Sequence, residues 1–305
     1  MIKIIEIEVT KKIELEEVKN LNLCLGYFDG LHLGHQEIIK AALENGLTGV
    51  MTFDVPPNFA LGKNVVNCCL MSLYDKANLL EDMGVKYLYI LRMSKELLNM
   101  PREEFVNSIL KAINPKAIFV GEDYRFGHEA KGTPNYLSNF FEVHALPLLQ
   151  FKNRKISSRF IRDMISEGRV DVVPDYLGRY YSLVGLVVQG KGNGNKIGFP
   201  TANLQLDYPY VLPKIGVYMG YVNLPPSTYK ALICVSTHPT IMELNAPMIE
   251  VHLLYYKGDL YGREIEVEFV EYMRDVQKFD TIEELQEQLK KDRDIAKAAL
   301  KELND

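Results

Sequence analysis

Gly26-Tyr27-Phe28-Asp29-Gly30-Leu31-His32-Leu33-Gly34-His35 is the stretch on which the fold turns. It closes an apolar run, Leu21 to Tyr27, and leads into a helical pattern, Gln36 to Asn45. An apolar strand that meets a glycine-punctuated turn and continues as a helix is half of a strand-helix-strand unit, and such units build parallel sheets. The turn also has a chemical use. A helix N-terminus offers free backbone N–H groups and the positive end of its dipole. Gly34 admits a phosphate close to the backbone, and His32 and His35 suit donation to charge that builds on an attacked phosphate. Two loop histidines without a role is the plainer alternative. The strand before them and the glycines at 26 and 30 favour a nucleotide-phosphate site, in which Phe28 and Asp29 also take part.

Outward from this turn the alternation continues. Leu47 to Phe53 reads as a strand closed by Pro56 and Pro57, Ser72 to Met83 as a helix, and Tyr87 to Leu91 as a strand. Arg102 to Ile113 reads as one helix, with Pro101 near its first turn, and Ala117 to Val120 as a strand. The expectation is an α/β domain with a parallel sheet and crossover helices. Near Arg179 the pattern changes. Tyr181 to Val188, Gly216 to Val222, Ala231 to Val235, Met248 to Tyr256 and Ile265 to Val270 are β-rich runs between Gly and Pro punctuation. They predict an antiparallel sheet or small barrel. A last helix starts at Thr281, where Thr281 and Glu284 have capping-box spacing and Ile282, Leu285 and Leu289 form one stripe. Ile161 to Tyr180 reads as a helical connection. Two domains are expected, 1–180 and 181–305.

Composition agrees with two cores. The chain has 305 residues, 47% hydrophobic, and a formal net charge of -5, which gives no basic face for nucleic acid. No window approaches 18 uncharged apolar residues, so no membrane span is expected. Met1 to Val9 alternates apolar and charged residues and has no signal-peptide core. Cys24 and Cys234 lie in apolar runs and read as buried. Cys68 and Cys69 are adjacent, with no second pair at zinc spacing. A cytoplasmic protein is the expectation.

Several further segments carry polar groups in suggestive patterns. Gly121 to Gly127 follows a strand and reads as a loop at the carboxyl edge of the sheet, with Asp123 and Phe126 in it. Ile156-Ser157-Ser158-Arg159-Phe160-Ile161-Arg162 opens a helix with hydroxyls and an arginine, which suits phosphate binding and equally suits a plain N-cap. Gly190, Lys191, Gly192 and Gly198 belong to a glycine-rich loop whose N–H groups can converge on anionic oxygens; a flexible turn reads equally well. Phe199-Pro200-Thr201-Ala202-Asn203 is more specific. In an extended segment Thr201 and Asn203 share a face, so both can reach one hard cation and its phosphates. Glu250 sits in the otherwise apolar Met248 to Leu254, on one face with His252, and a positioned carboxylate can accept the proton of a hydroxyl nucleophile.

The N-terminal turn resembles the H-x-G-H signature of the nucleotidyltransferase superfamily. Arg92-Met93-Ser94-Lys95-Glu96 looks like the synthetase loop of that superfamily, but it follows the first motif too closely, and the chain lacks a basic anticodon-binding domain. Taken in order, the Gly26 turn, Thr52-Phe53-Asp54-Val55-Pro56-Pro57, Gly121 to Gly127, Ser157 to Arg162, Pro200 to Asn203, and Glu250 nine residues before Asp259-Leu260-Tyr261-Gly262 resemble prokaryotic bifunctional riboflavin kinase/FAD synthetases. The resemblance implies riboflavin phosphorylation to FMN with Glu250 as proton acceptor and Thr201 and Asn203 on Mg²⁺ or another hard divalent cation. It implies FMN adenylylation to FAD from ATP, with His32, His35 and Arg162 stabilising charge and Ser157 and Ser158 on phosphates. Asp123, Phe126, Arg274 and Phe279 are implied flavin contacts. Departures are Pro56 for a usual His, Arg159 for Thr, His238 for Arg and Gln277 for Glu. The first two motivate an alternative, a riboflavin kinase whose N-terminal domain binds nucleotide or flavin in a regulatory role.

Overall fold

Six strands form the N-terminal sheet: β1 (Lys3–Ile7), β2 (Asn22–Leu25), β3 (Thr48–Phe53), β4 (Tyr87–Leu91), β5 (Ala117–Gly121) and β6 (Glu142–Leu146). The computed structural model describes residues 1–11, 13, 15–56, 69–189, 198–237 and 247–301. All pairings in this sheet are parallel, and the order across it is β1-β4-β3-β2-β5-β6. From β2 the chain builds outward through β3 and β4, then returns to add β5 and β6 on the other side. The crevice beyond the carboxyl ends of β2 and β5 is therefore the switch point, where open parallel sheets bind ligands. Both sheet faces are covered. Leu23, Leu25, Met51, Ile118 and Val120 pack in one core with Phe105, Val106 and Ile109. Cys24, Val50, Leu88 and Phe119 pack in the other with α1 (Leu33–Glu44) and α2 (Leu73–Asp82). Strands buried on both faces read as apolar runs, which is why β2 to β5 were legible.

Boundaries differ where local chemistry intervenes. β2 stops at Leu25 instead of running to Tyr27, because Phe28 enters the left-handed region at φ 52° and the chain turns there. The helix expected over Arg102 to Ile113 contains a π-helical stretch, Phe105–Leu110, between two α-helical turns. The widened turn buries Phe105, Val106, Ile109 and Leu110 together. Met1 to Val9 holds edge strand β1, and β6 forms the opposite edge; both are largely exposed or half-buried, so neither carries the apolar signature of its neighbours. A two-stranded hairpin, β7 (Gln150–Phe151) and β8 (Arg154–Lys155), was also not foreseen.

In the second unit β9 (Tyr181–Val188), β10 (Ala202–Gln205), β11 (Gly216–Leu224), β12 (Ser227–Thr237), β13 (Pro247–Leu253) and β14 (Glu264–Arg274) close an antiparallel barrel in the order β10-β13-β12-β11-β14-β9. In β9 the alternation is strict, every second residue being buried, whereas β11 is buried on both sides along most of its length. Gly220 is obligatory in β11, since a Cβ there would come within 1.9 Å of the Glu268 carbonyl oxygen. Of the other helices, α3 (Ser158–Ser166) begins the connection and α4 (Ile282–Ala299) ends the fold. Ala296 of α4 and Leu300 beyond it pack with Met219, Tyr221, Leu232 and Leu254 in a second layer on the barrel. Thr281 caps α4 as expected, but Ile282 is exposed. The buried face instead carries Asp292, which Arg274 grips through contacts of 3.1, 3.1 and 2.6 Å. The chain divides into compact units Met1–Ser158 and Arg159–Asp305, earlier than the change of pattern near Arg179. Residues after Ser158 join the second unit partly through Lys214 N–H donating to Ile165 C=O at 3.3 Å.

Candidate active sites

The turn after β2 is built under constraint. Phe28 and Leu31 both hold positive φ, 52° and 42°, a conformation that costs energy for such side chains and clusters at functional sites. A Cβ at Gly26 would press on the Phe28 ring at 3.0 Å, so the ring would have to give. Gly34 is similar: the His32 ring lies 3.3 Å from where its Cβ would be. The buried Asp29 accepts the Leu70 N–H at 2.9 Å, and its carbonyl accepts the Ser158 hydroxyl at 2.9 Å. Ser158 thus ties the start of α3 to this turn, so its hydroxyl is spent on structure; Ser157 stands beside it, half-buried.

His32 caps α1. Its Nδ1 accepts the His35 N–H at 3.2 Å, so the neutral ring carries its proton on Nε2. The two imidazoles stack, with centroids 3.5 Å apart and planes 13° from parallel, and Phe28 meets His35 edge-on at 5.2 Å. Burial, His32 and Lys76 hold the His35 imidazolium well below the usual histidine range, so His35 is neutral at pH 7. Its Nδ1 is buried and has no hydrogen-bond partner among the described residues. A buried polar atom without a partner is rare and fits a ligand-facing site. Lys76 of α2, which no sequence motif marked, donates to Tyr27 C=O at 2.6 Å in this same turn.

At the end of β5, Asp123 is exposed and pairs with Lys155 at 2.5 Å. Phe126 is 6% exposed and packs on Phe105, Tyr124 and Tyr136, so its ring is a core support of this loop. Arg159 and Arg162 lie on α3 in the second unit, the first exposed and the second half-buried. The synthetase-like stretch is structural: Ser94 caps a short helix through Leu97 N–H, and Arg92 pairs with Glu6 and Asp54.

In the barrel, cross-strand register assembles the second site. Asn203 of β10 lies opposite Glu250 of β13, and Glu250 lies opposite Cys234 of β12. Directly opposed residues share a face, with Cβ atoms about 5 Å apart. Thr201 precedes Asn203 by two, just ahead of β10. His252, also on that face, has Nδ1 2.7 Å from the Pro200 carbonyl oxygen. A carbonyl only accepts, so Nδ1 carries the proton. His252 therefore holds Phe199 to Asn203 against β13, with Phe199 packed on its ring at 5.3 Å. Burial keeps this histidine below the ordinary range, hence neutral at pH 7. Cys234 is half-buried rather than buried, and burial with the Glu250 charge pushes its thiol up to about 11.

Thr201 also borders a cavity of about 120 Å³ with Val187, Val251, Leu253, Leu260 and Tyr261. Gly262 N–H donates to Val187 C=O at 2.9 Å, fixing this loop to β9, and Gly198, at φ 76°, starts the segment on its other side. Among the described residues no three His, Cys, Asp or Glu side chains gather as a metal site. The donors here are a hydroxyl, an amide and one carboxylate, the sparse oxygen set that suits Mg²⁺ when phosphates and water complete its shell. Arg274 is committed to Asp292, and Phe279 is half-buried between β14 and α4. Gly190, Lys191, Gly192, His238, Pro57 and Cys68 lie outside the described residues.

Comparison with known proteins gives a consistent picture. The family model for FAD synthetase matches residues 14–160, and that for riboflavin kinase matches residues 177–300. A Bacillus subtilis bifunctional riboflavin kinase/FMN adenylyltransferase is 33% identical over 93% of this chain and 93% of its own length. The Listeria monocytogenes protein of the same description is 33% identical over 94% of each. Among solved structures, a Streptococcus pneumoniae protein described as a macrolide-efflux protein has a TM-score of 0.88 and 32% identity, over 96% of this chain and 99% of its own. No described helix here is long and apolar enough to cross a membrane.

Proposed function

The chain belongs to the bifunctional riboflavin kinase/FMN adenylyltransferase family, and from that premise we propose how its own residues divide two successive reactions between two sites. Riboflavin and ATP give FMN and ADP in the second unit; FMN and ATP then give FAD and pyrophosphate in the first. The observation that carries the kinase assignment is the cross-strand pair Asn203–Glu250, with Thr201 two residues ahead of Asn203.

In the kinase step the riboflavin 5′-hydroxyl oxygen attacks the γ-phosphorus of ATP. Its proton passes to Glu250, and the bond to the ADP oxygen breaks. The oxygens of Thr201 and Asn203 would hold Mg²⁺ together with the ATP phosphates. When bound, the cation neutralises charge on the transferring phosphoryl group. The cavity beside Thr201 is proposed for the ATP base, and Gly190, Lys191 and Gly192 for its phosphates. Phe279 is proposed to border the flavin, with Arg274 contributing by clamping α4. His252 keeps Pro200 to Asn203 in place. His252→Ala is expected to raise KM for MgATP in FMN formation about tenfold, the weight of one lost neutral hydrogen bond of about 1.4 kcal/mol, and steady-state kinetics checks it.

In the adenylyl step the nucleophile is the FMN phosphate, already anionic, so no base is needed. Positioning and charge stabilisation remain. His32 offers Nε2–H, and His35 and Ser157 are proposed to hold the ATP phosphates. Ser158 acts through Asp29. Asp123 is proposed as the flavin contact, supported from below by Phe126. ATP, riboflavin and FMN are the proposed partners, and the cytoplasm the proposed location. The alternative, a kinase with a regulatory N-terminal unit, draws on Arg159, which is exposed at the start of α3.

Metal removal tests the kinase assignment. With EDTA in excess, FMN formation from riboflavin and ATP is expected to stop and to return when Mg²⁺ is restored. Undiminished FMN formation in EDTA would remove Thr201 and Asn203 from the proposed role.

A further inference from the structure

Lys76 is a buried cation with no anionic partner in contact among the described residues. It is 3% exposed. Its ammonium donates to Tyr27 C=O at 2.6 Å and Thr52 Oγ1 at 3.1 Å and lies 4.5 Å from the Tyr27 ring centroid. Those are two neutral oxygens and a π face, and no carboxylate oxygen is within ion-pair distance of it among the described residues. The charged and titratable groups around it are few. Asp29 in the turn and Cys69 ahead of α2 favour the ammonium, and burial opposes it more strongly. His35 of α1 is held neutral partly by the Lys76 charge. Asp75 on the same helix is engaged with Ser72.

Position gives this charge its meaning. Tyr27 and Asp29 belong to the turn between β2 and α1, and Thr52 lies near the end of β3. The ammonium thus sits at the carboxyl edge of the sheet, against the turn that carries His32 and His35. His35 Nδ1, buried without a partner among the described residues, marks the same turn. Burying an ammonium among neutral acceptors is costly, and an incoming polyanion relieves the cost.

We propose that Lys76 is a positioning residue for adenylyl transfer, a charge left uncompensated in the free protein and neutralised by the ATP triphosphate at the His32–His35 turn. The proposal rests on the adenylyltransferase reading of the first unit. Linkage fixes its signs. Burial lowers the Lys76 pKa to about 8 from the ordinary 10.5, so between these values the unfolded chain binds more protons and this group's contribution to stability rises with pH. Bound triphosphate draws the pKa back up. ATP affinity therefore falls as pH rises through the same window, by up to about tenfold per pH unit for one proton.

The test is the KM for ATP in FAD formation from FMN, on the full chain with saturating FMN and Mg²⁺, between about pH 7.5 and 9.5. In the wild type KM is expected to rise above about pH 8 while kcat changes little. Lys76→Met is expected to show a KM raised about tenfold at pH 7.5 and flat with pH. Thr52→Val, which removes one acceptor from the ammonium, is expected to move the rise to lower pH. A wild-type KM that is flat with pH, or a Lys76→Met protein that keeps the wild-type rise, would overturn the proposal. If Lys76→Met does not fold, the wild-type and Thr52→Val profiles decide. A wild type that makes no FAD from FMN at any pH overturns the adenylyltransferase reading, and the proposal with it.

Discussion

Glu250→Gln is expected to lower kcat for FMN formation by about 10²–10⁴-fold, the usual weight of a general base, while FMN-to-FAD conversion stays unchanged. Gln keeps the size of Glu and both amide hydrogens and oxygen suit a half-buried strand position, so β13 should persist with its pairings to Asn203 and Cys234. What disappears is the proton acceptor. The described neighbours are poorer acceptors: Cys234 stays a neutral thiol, pushed up to about 11, and burial makes His252 reluctant to take up a second proton. The loss should fall on kcat, with riboflavin binding nearly intact, since the carboxylate acts on the hydroxyl in the transition state. Quantifying FMN and FAD from separate riboflavin and FMN incubations checks both halves. Equal loss of both activities would argue against separate sites.

His32→Asn is expected to do the reverse. His32 caps α1 by accepting the His35 N–H on Nδ1, and the proposed reaction gives its Nε2–H to a phosphate. Asn is a good N-cap and cannot stack on His35 as the imidazole does at 3.5 Å. FAD formation should therefore fall by about 10²–10³-fold, as when one preorganised donor is removed from a charge-stabilising site. The fold and FMN formation should be kept. His32→Ala should lose the same activity and in addition about 1 kcal/mol of stability from the missing cap. Thermal unfolding of the two variants side by side separates the roles. If His32→Asn retained full FAD synthesis, the imidazole would be a cap only.

Much of this was legible in the residues because the decisive signals are local. Apolar runs buried on both faces marked β2 to β5, and β-rich runs between Gly and Pro marked β9 and β11 to β14. Asn203 lies on a strand, as the extended reading of its segment expects, whereas Thr201 stands just ahead of it. Other features depend on partners distant in sequence. That Asn203 faces Glu250 follows from β10–β13 register, which no spacing along the chain encodes. His252 looked structural, and its hold on Pro200 appears only once β13 lies beside the preceding segment. Arg274 resembled a flavin contact, yet a carboxylate on the terminal helix occupies its guanidinium. Phe126 fell in a ligand-edge loop by sequence, but the π-helical turn at Phe105 and the small Gly132 draw its ring into the core. Lys76 could not have been found in this way. It is an ordinary helix lysine until the strand ends of β2 and β3 close over it.

Time-resolved separation of flavins from one incubation of the purified chain with riboflavin, ATP and Mg²⁺ tests most directly whether both activities reside here. FMN should appear first and then decline as FAD accumulates, with one ADP and one pyrophosphate released per FAD. FMN that accumulates without FAD, and added FMN that stays unconverted, would contradict a two-site enzyme and leave a kinase with a regulatory N-terminal unit.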